Sequence, residues 1–166
     1  MKLYVIRHGR TDANDKQIYN GSRLDEDINE VGIKQAKEAG KLLQDKVINL
    51  VFSSPLRRTR HTLELLRLDK PVVYDERLKD RDFGELTLAP VNDELCNMAD
   101  RVETEEKVYA RVVSFLEEIK DKYANDKNIL IVTHGEVAFA ISKYFASVNN
   151  IQATWQKNCE IREYNW

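Results

Sequence analysis

Leu3-Tyr4-Val5-Ile6-Arg7-His8-Gly9 and Ile129-Leu130-Ile131-Val132-Thr133-His134-Gly135 decide the fold between them. Each is an unbroken apolar run that halts at a polar residue and then His-Gly. A strand with one wetted face alternates polar and apolar residues, whereas a continuous apolar run suits a strand covered on both faces by helices. The glycine behind each histidine lets the backbone turn tightly and lets a ligand approach closely.

Outward from these two strands the pattern alternates. Behind a cap at Asn29 and an early Glu30, positions Ile33, Ala36, Gly40, Leu43 and Val47 advance by threes and fours and predict a helix. Ile48 to Phe52 reads as a strand ending at Ser53-Ser54-Pro55, where Ser54 is expected to cap a helix and Pro55 to take its first position. That helix would turn Leu56, Thr59, Leu63 and Leu66 inward and carry Arg58 in its first turn. Pro71 to Tyr74 predicts a third, short strand. Thr104 is placed to cap a long helix with the stripe Val108, Val112, Phe115, Ile119 and Tyr123, its first turn holding Glu105 and Glu106. A helix after Gly135 would bury Val137, Ile141 and Tyr144 or Phe145, and Cys159 to Tyr164 reads as a last edge strand. Leu86 to Val102, of mixed polarity around Pro90, is expected as a loop or short helix over the sheet. Strands alternating with helices give an α/β fold, a three-layer sandwich with a mostly parallel central sheet flanked by helices.

With 166 residues and no linker or repeat, residues 1–166 are expected to form a single domain. Lys+Arg total 26 and Asp+Glu 28, a formal charge of -2 that offers no general attraction to nucleic acid or an anionic membrane. The run Val137-Ala138-Phe139-Ala140-Ile141 falls far short of the roughly 18 residues of a membrane span. Arg7 interrupts the N-terminal apolar stretch too soon for a signal peptide, so a cytoplasmic protein is expected. Cys96 and Cys159 are read as packing or surface residues, Trp155 and Trp166 as packing residues, and His61 as structural or surface.

Ligands of open α/β sheets collect beyond the carboxyl ends of the strands. There this sequence puts Arg7-His8-Gly9, Ser53-Ser54-Pro55-Leu56-Arg57-Arg58 and Thr133-His134-Gly135. A neutral imidazole can attack phosphorus, and guanidinium groups grip phosphate oxygens and offset the charge that develops.

These segments resemble the histidine phosphatases, the phosphoglycerate mutase-like superfamily, over almost the whole chain. Arg7-His8-Gly9-Arg10-Thr11-Asp12-Ala13-Asn14 matches the opening RHGxTxxN, and Ser53 to Thr62 is similar to the SSxLxRAxxT segment. Asn20-Gly21 and Ile28 to Ala36 look like the substrate loop, with Gly21 and Ser22 as its contact residues, and the first helix; Asp27 stands where proline is common. Leu78 to Leu86 resembles the segment carrying the acid, and Ile131 to Gly135 the one carrying the second histidine. The resemblance implies that His8 becomes phosphohistidine. It implies that Arg7, Arg58 and His134 hold the phosphoryl oxygens, with Asn14 and Gly135 adding contacts. It also implies that neither metal nor cofactor is needed, because the arginines and histidines supply the positive charge.

The acid departs from the pattern, since Asp80 stands where the family usually has glutamate; register favours it, with Asp82 and Glu85 as nearby alternatives. Few residues lie between Leu86 and Glu103, a reduced cap region. The expectation is therefore a phosphatase acting on a phosphorylated small molecule or a phosphoprotein side chain. The alternatives are a cofactor-dependent phosphoglycerate mutase and a non-catalytic phosphate-binding module.

Overall fold

The computed structural model describes residues 1–92, 94, 100–123 and 127–166. Five strands form one sheet: β1 (Lys2–Arg7), β2 (Leu50–Ser53), β3 (Val72–Tyr74), β4 (Ile129–Thr133) and β5 (Ile161–Asn165), in the order β3-β2-β4-β1-β5. All neighbours run parallel except β5, which lies antiparallel to β1 at the edge. The helices are α1 (Asp12–Lys16), α2 (Glu30–Leu43), α3 (Arg57–Leu66), α4 (Glu105–Tyr123) and α5 (Gly135–Asn149), with two short 3-10 turns at Glu76–Leu78 and Gly84–Leu86.

The continuous apolar strands are explained by a layer on each face. Leu3, Val5, Phe52, Ile129 and Ile131 pack with Val112, Phe115 and Ile119 of α4 and Val137, Ile141 and Phe145 of α5. Their strand neighbours Tyr4, Ile6, Val51, Leu130 and Val132 pack with Ala39 and Leu43 of α2 and Leu63 and Leu66 of α3. Each large side chain so buried contributes about 1.5–3 kcal/mol relative to exposure. Asn29 caps α2 as expected, its Oδ1 accepting from the N–H groups of Val31 and Gly32 at 3.1 Å, and Thr104 Oγ1 accepts from Lys107 N at 3.3 Å.

Three local expectations need correction. First, α2 stops at Leu43, because a turn closed by Lys46 N donating to the Leu43 carbonyl redirects the chain towards β2 and leaves Val47 68% exposed. Second, Leu56 is the N-cap of α3 and the helix starts at Arg57, not Pro55. Ser54 Oγ does accept from Leu56 N, but it is also shared with His134, and the Arg57 N–H is taken by Asp25 Oδ1 at 2.6 Å. Third, the last strand begins at Ile161, since Cys159 has a left-handed backbone (φ 55°) that cannot continue a pleat. The stretch expected as a loop or short helix is a loop from Thr87 to Asn92, with a single bridge of Pro90 to Ile18. Its described part runs along the segment after α1, with Tyr19 N donating to the Ala89 carbonyl, Leu88 N to the Tyr19 carbonyl and Val91 N to the Gln17 carbonyl. Residues 93 and 95–99, which include Cys96 and the middle of the expected cap, lie outside the described residues.

Candidate active site

Strand register builds the site. Pairing of Arg7 with Thr133 and of Ser53 with Val132 sets the ends of β1, β4 and β2 abreast, so that His8, His134 and Ser54 emerge side by side. His8 N donates to the Thr133 carbonyl at 2.9 Å and Ser54 N to the Val132 carbonyl at 3.0 Å, extending the ladders by one residue. The two imidazole rings end with centroids 5.2 Å apart. Gly9 allows the turn: a Cβ there would lie 2.7 Å from the Gly32 carbonyl oxygen.

The hydrogen bonds fix the tautomers. His8 Nδ1 lies 2.7 Å from the Gly9 carbonyl oxygen, which can only accept, so Nδ1 carries the proton and Nε2 a lone pair. His134 is reversed: its Nδ1 accepts from Arg58 Nε at 3.2 Å and its Nε2 donates to Ser54 Oγ at 2.8 Å. Burial first, then Arg58 and other nearby positive groups, holds both histidines well below the ordinary imidazole pKa of 6.5, and both are neutral at physiological pH.

Arg58 is fully buried at the centre. Its guanidinium donates to the carbonyls of Leu24 (2.8 Å) and Gly21 (2.7 Å), to Asp80 Oδ2 (3.1 Å) and to His134. Arg7 donates from Nη1 to the Gln156 carbonyl at 3.0 Å, while its buried Nε–H has no hydrogen-bond partner among the described residues. A buried unsatisfied donor is costly, and a cationic one is the signature of a place kept for an anion. Burial lowers the pKa of both guanidinium groups against the opposing pull of Asp80, yet arginine stays charged.

Above this floor opens a cavity of about 570 Å³, lined by Arg7, Asn14, Gly21, Asp80, Gly135 and Glu136 near the strand ends and by Tyr19, Phe83, Phe139 and Trp155 further along. Gly21 has a left-handed backbone (φ 61°), and a Cβ there would sit 2.7 Å from the Phe83 ring. Asn14 accepts at Oδ1 from Thr11 N and Asn158 Nδ2, each at 3.2 Å, which leaves its amide N–H groups for a ligand.

The structure thus brings together Arg7, His8, Arg58, Asp80 and His134, with Asn14, Gly21 and Gly135 at the cavity wall. It does not bring Ser22 there; Ser22 lines a neighbouring groove with Glu76, Lys79 and Arg101. Of the three candidate acids, Asp80 Oδ2 lies 3.8 Å from His134 Nδ1. Asp82 is instead paired with Arg23 at 2.7 Å and Glu85 with Arg101 at 2.7 Å, both away from the cavity. His61, read as structural or surface, binds Asp27 at 2.7 Å away from the cavity. Trp166 packs against the core, and Trp155 does not: it is 55% exposed and stacked on Phe139.

Sequence reading missed two residues. Arg111 of α4 holds the backbone of Asp80, donating to the carbonyls of Lys79 (2.7 Å) and Asp80 (3.2 Å) while paired with Glu103. Glu136 follows directly on His134-Gly135 and enters the cavity, where burial and then Asp80 raise its pKa to about 7. A carboxyl one residue past a strand-end His-Gly was its only signal.

A neutral imidazole with its lone pair in a cationic, buried floor beneath an open cavity is an arrangement chemically suited to phosphoryl transfer in an α/β protein. The profile of the histidine phosphatase superfamily, branch 1, matches residues 3–166, and the chain belongs to that family as a phosphatase-type enzyme. It is similar to the uncharacterized phosphatase PhoE of Bacillus subtilis, 32% identical over 143 residues that cover 82% of this chain and 73% of that one. It is also similar to the fructose-2,6-bisphosphatase TIGAR of Bos taurus, 40% identical over 97 residues that cover 55% of this chain and 36% of that protein. Among solved structures, the alpha-ribazole phosphatase from Shigella flexneri superposes with a TM-score of 0.82 at 26% identity, covering 98% of this chain and 89% of the other. No helix among the described residues is long and apolar enough to cross a membrane.

Proposed function

We propose that residues 1–166 form one domain that hydrolyses a phosphomonoester, of a small metabolite or a phosphorylated protein side chain, through a phosphohistidine on His8, in the cytoplasm and with neither metal nor cofactor. The observation that carries this reading is the tautomer of His8, whose donation from Nδ1 to the Gly9 carbonyl leaves Nε2 as the nucleophile.

His8 Nε2 attacks phosphorus, the bond to the alcohol oxygen breaks, and Asp80 supplies the proton that oxygen needs. Water then attacks phosphorus, the P–N bond breaks, and Asp80 takes the water's proton as phosphate forms. Arg7, with its unpartnered Nε–H, takes the phosphoryl oxygens together with Arg58, His134 and the Asn14 amide, Gly135 leaving them room; Gly21 shapes the approach. These fixed positive groups stand where a divalent ion would otherwise be required. The scarcity of residues between Leu86 and Glu103 favours water's access, and so hydrolysis over a mutase. A pure phosphate-binding module would not need the His8 lone pair. The half-buried free thiol of Cys159, pushed up to about 12 by burial, suits a reducing compartment.

Brief exposure to a labelled phosphate ester in the presence of a chelator, followed by quenching, is expected to trap an acid-labile, alkali-stable phosphoenzyme. His8→Ala should lose the label and reduce turnover by about 1,000-fold or more. Label elsewhere, or turnover that needs added metal, overturns the reading.

A further inference from the structure

Beyond the phosphoryl floor, the cavity wall is aromatic and acidic, and the mechanism uses neither property. Tyr19 and Phe83 form one ring pair, with centroids 4.4 Å apart. Phe139 of α5 and Trp155 form another, parallel within 5° at 4.2 Å. Next to the second pair, Lys143 Nζ lies 4.8 Å from the Phe139 centroid and is itself held by Glu105 at 2.9 Å. One face of the indole is spent on Phe139, and the side chain is still 55% exposed while lining the cavity. An exposed aromatic on a rigid backing is a stacking platform.

Charge narrows the ligand further. The cavity's cations are Arg7 and Arg81. Arg81 Nε donates to the Glu103 carbonyl at 2.6 Å, and its Nη1 lies 3.8 Å from Glu136. Against them stand the carboxyl groups of Asp80, Glu105 and Glu136. One phosphoryl group is matched by Arg7 together with Arg58 below; beyond them the described lining offers a second acidic group Arg81 alone, set among the carboxyl groups of Asp80, Glu105 and Glu136. The volume, about 570 Å³, lies within the range of sites for ligands of nucleoside size.

We propose that the physiological substrate is a monophosphate ester whose alcohol carries a flat aromatic ring and no second acidic group, the ring stacking on Trp155. This rests on His8 phosphoryl chemistry and adds the leaving group. It sets the protein apart from sites built for bisphosphates or phosphoglycerates.

Adenosine 5′-monophosphate, ribose 5-phosphate and 3-phosphoglycerate all release a primary alcohol, so their comparison separates ring and charge from leaving-group chemistry. The kcat/KM is expected to be about tenfold or more higher for the adenosine ester than for ribose 5-phosphate, the scale of one base stacked on one aromatic side chain. It is expected to be lowest for 3-phosphoglycerate. Trp155→Ala should bring the adenosine-to-ribose ratio close to one, and Trp155→Tyr should restore most of it. Equal rates for the two ribose esters, preference for 3-phosphoglycerate, or a ratio insensitive to Trp155→Ala would overturn the proposal. Calorimetric affinities of the same three compounds on His8→Ala read the same ratios without turnover. A protein that labels His8 from nitrophenyl phosphate but shows no ring preference refutes this inference alone, whereas ring preference in binding without any label refutes the mechanism alone.

Discussion

The floor and the wall of this site are built by different parts of the chain and obey different constraints. Floor residues sit at the ends of paired strands, one step beyond them, or in the first turn of α3, and Arg58 alone reaches Gly21, Leu24, Asp80 and His134. Wall residues such as Phe139, Trp155 and Phe83 come from a helix face and from loops, and their mutual contacts are ring against ring. Substituting Arg58 must therefore disturb the fold as well as the chemistry, whereas a wall substitution can change what is recognised and leave the sheet intact.

Arg58 tests the floor hardest. Arg58→Met removes the donors to two buried carbonyls and to a carboxylate, and is expected to cost about 3–5 kcal/mol of stability, read from the denaturant midpoint, as well as activity. A loss below about 1 kcal/mol would mean that Arg58 serves the ligand alone and that the two regions differ less than their contacts imply.

Asp80 stands at the boundary between floor and wall, and leaving-group dependence reads its role. Asp80→Asn is expected to lose about 100-fold on an alkyl phosphate, whose leaving oxygen needs a proton, and much less on nitrophenyl phosphate. Equal losses on both esters would make Asp80 a partner of Arg58 only.

The smallest effect belongs to the wall. Glu136 is neutral below about 7 and ionised above it, adding a negative charge to the cavity that receives the phosphoryl group. The kcat/KM for nitrophenyl phosphate should fall by less than about tenfold as pH rises through that value, and Glu136→Gln should flatten the fall. Stability moves the same way: the native carboxyl keeps its proton up to about 7 and the free one loses it near 4.5, so this contribution is lost as pH rises between them. An unchanged profile in Glu136→Gln would place the titration elsewhere.

The same contrast governs what the sequence discloses. Arg7-His8-Gly9 and Thr133-His134-Gly135 announce themselves because a doubly covered strand has an unmistakable composition and its end has a fixed place. The helical stripes of α4 and α5 are legible for the same reason. Ser54 was misread as a simple helix cap because half of its bonding is to His134, eighty residues further on, which no local rule can see. Val47 continued a helical spacing that the turn at Lys46 breaks. Trp155, an apolar residue in a polar stretch, looks like packing until Phe139 is found beneath it. Glu136 has an ordinary residue type for a first helical turn, and only the cavity reveals its burial.

The position of β1 has a consequence for how the enzyme is made. Its two neighbours in the sheet, β4 and β5, both follow residue 128 in the chain, whereas β2 and β3 pair on the far side of β4. During synthesis β1 has neither of these neighbours to pair with until the chain beyond residue 128 has emerged. Such distant pairings close late and slow folding. His8 is thus translated well over a hundred residues before its neighbours His134 and Asn158, so that a nascent chain ending between them carries the imidazole without the pocket around it.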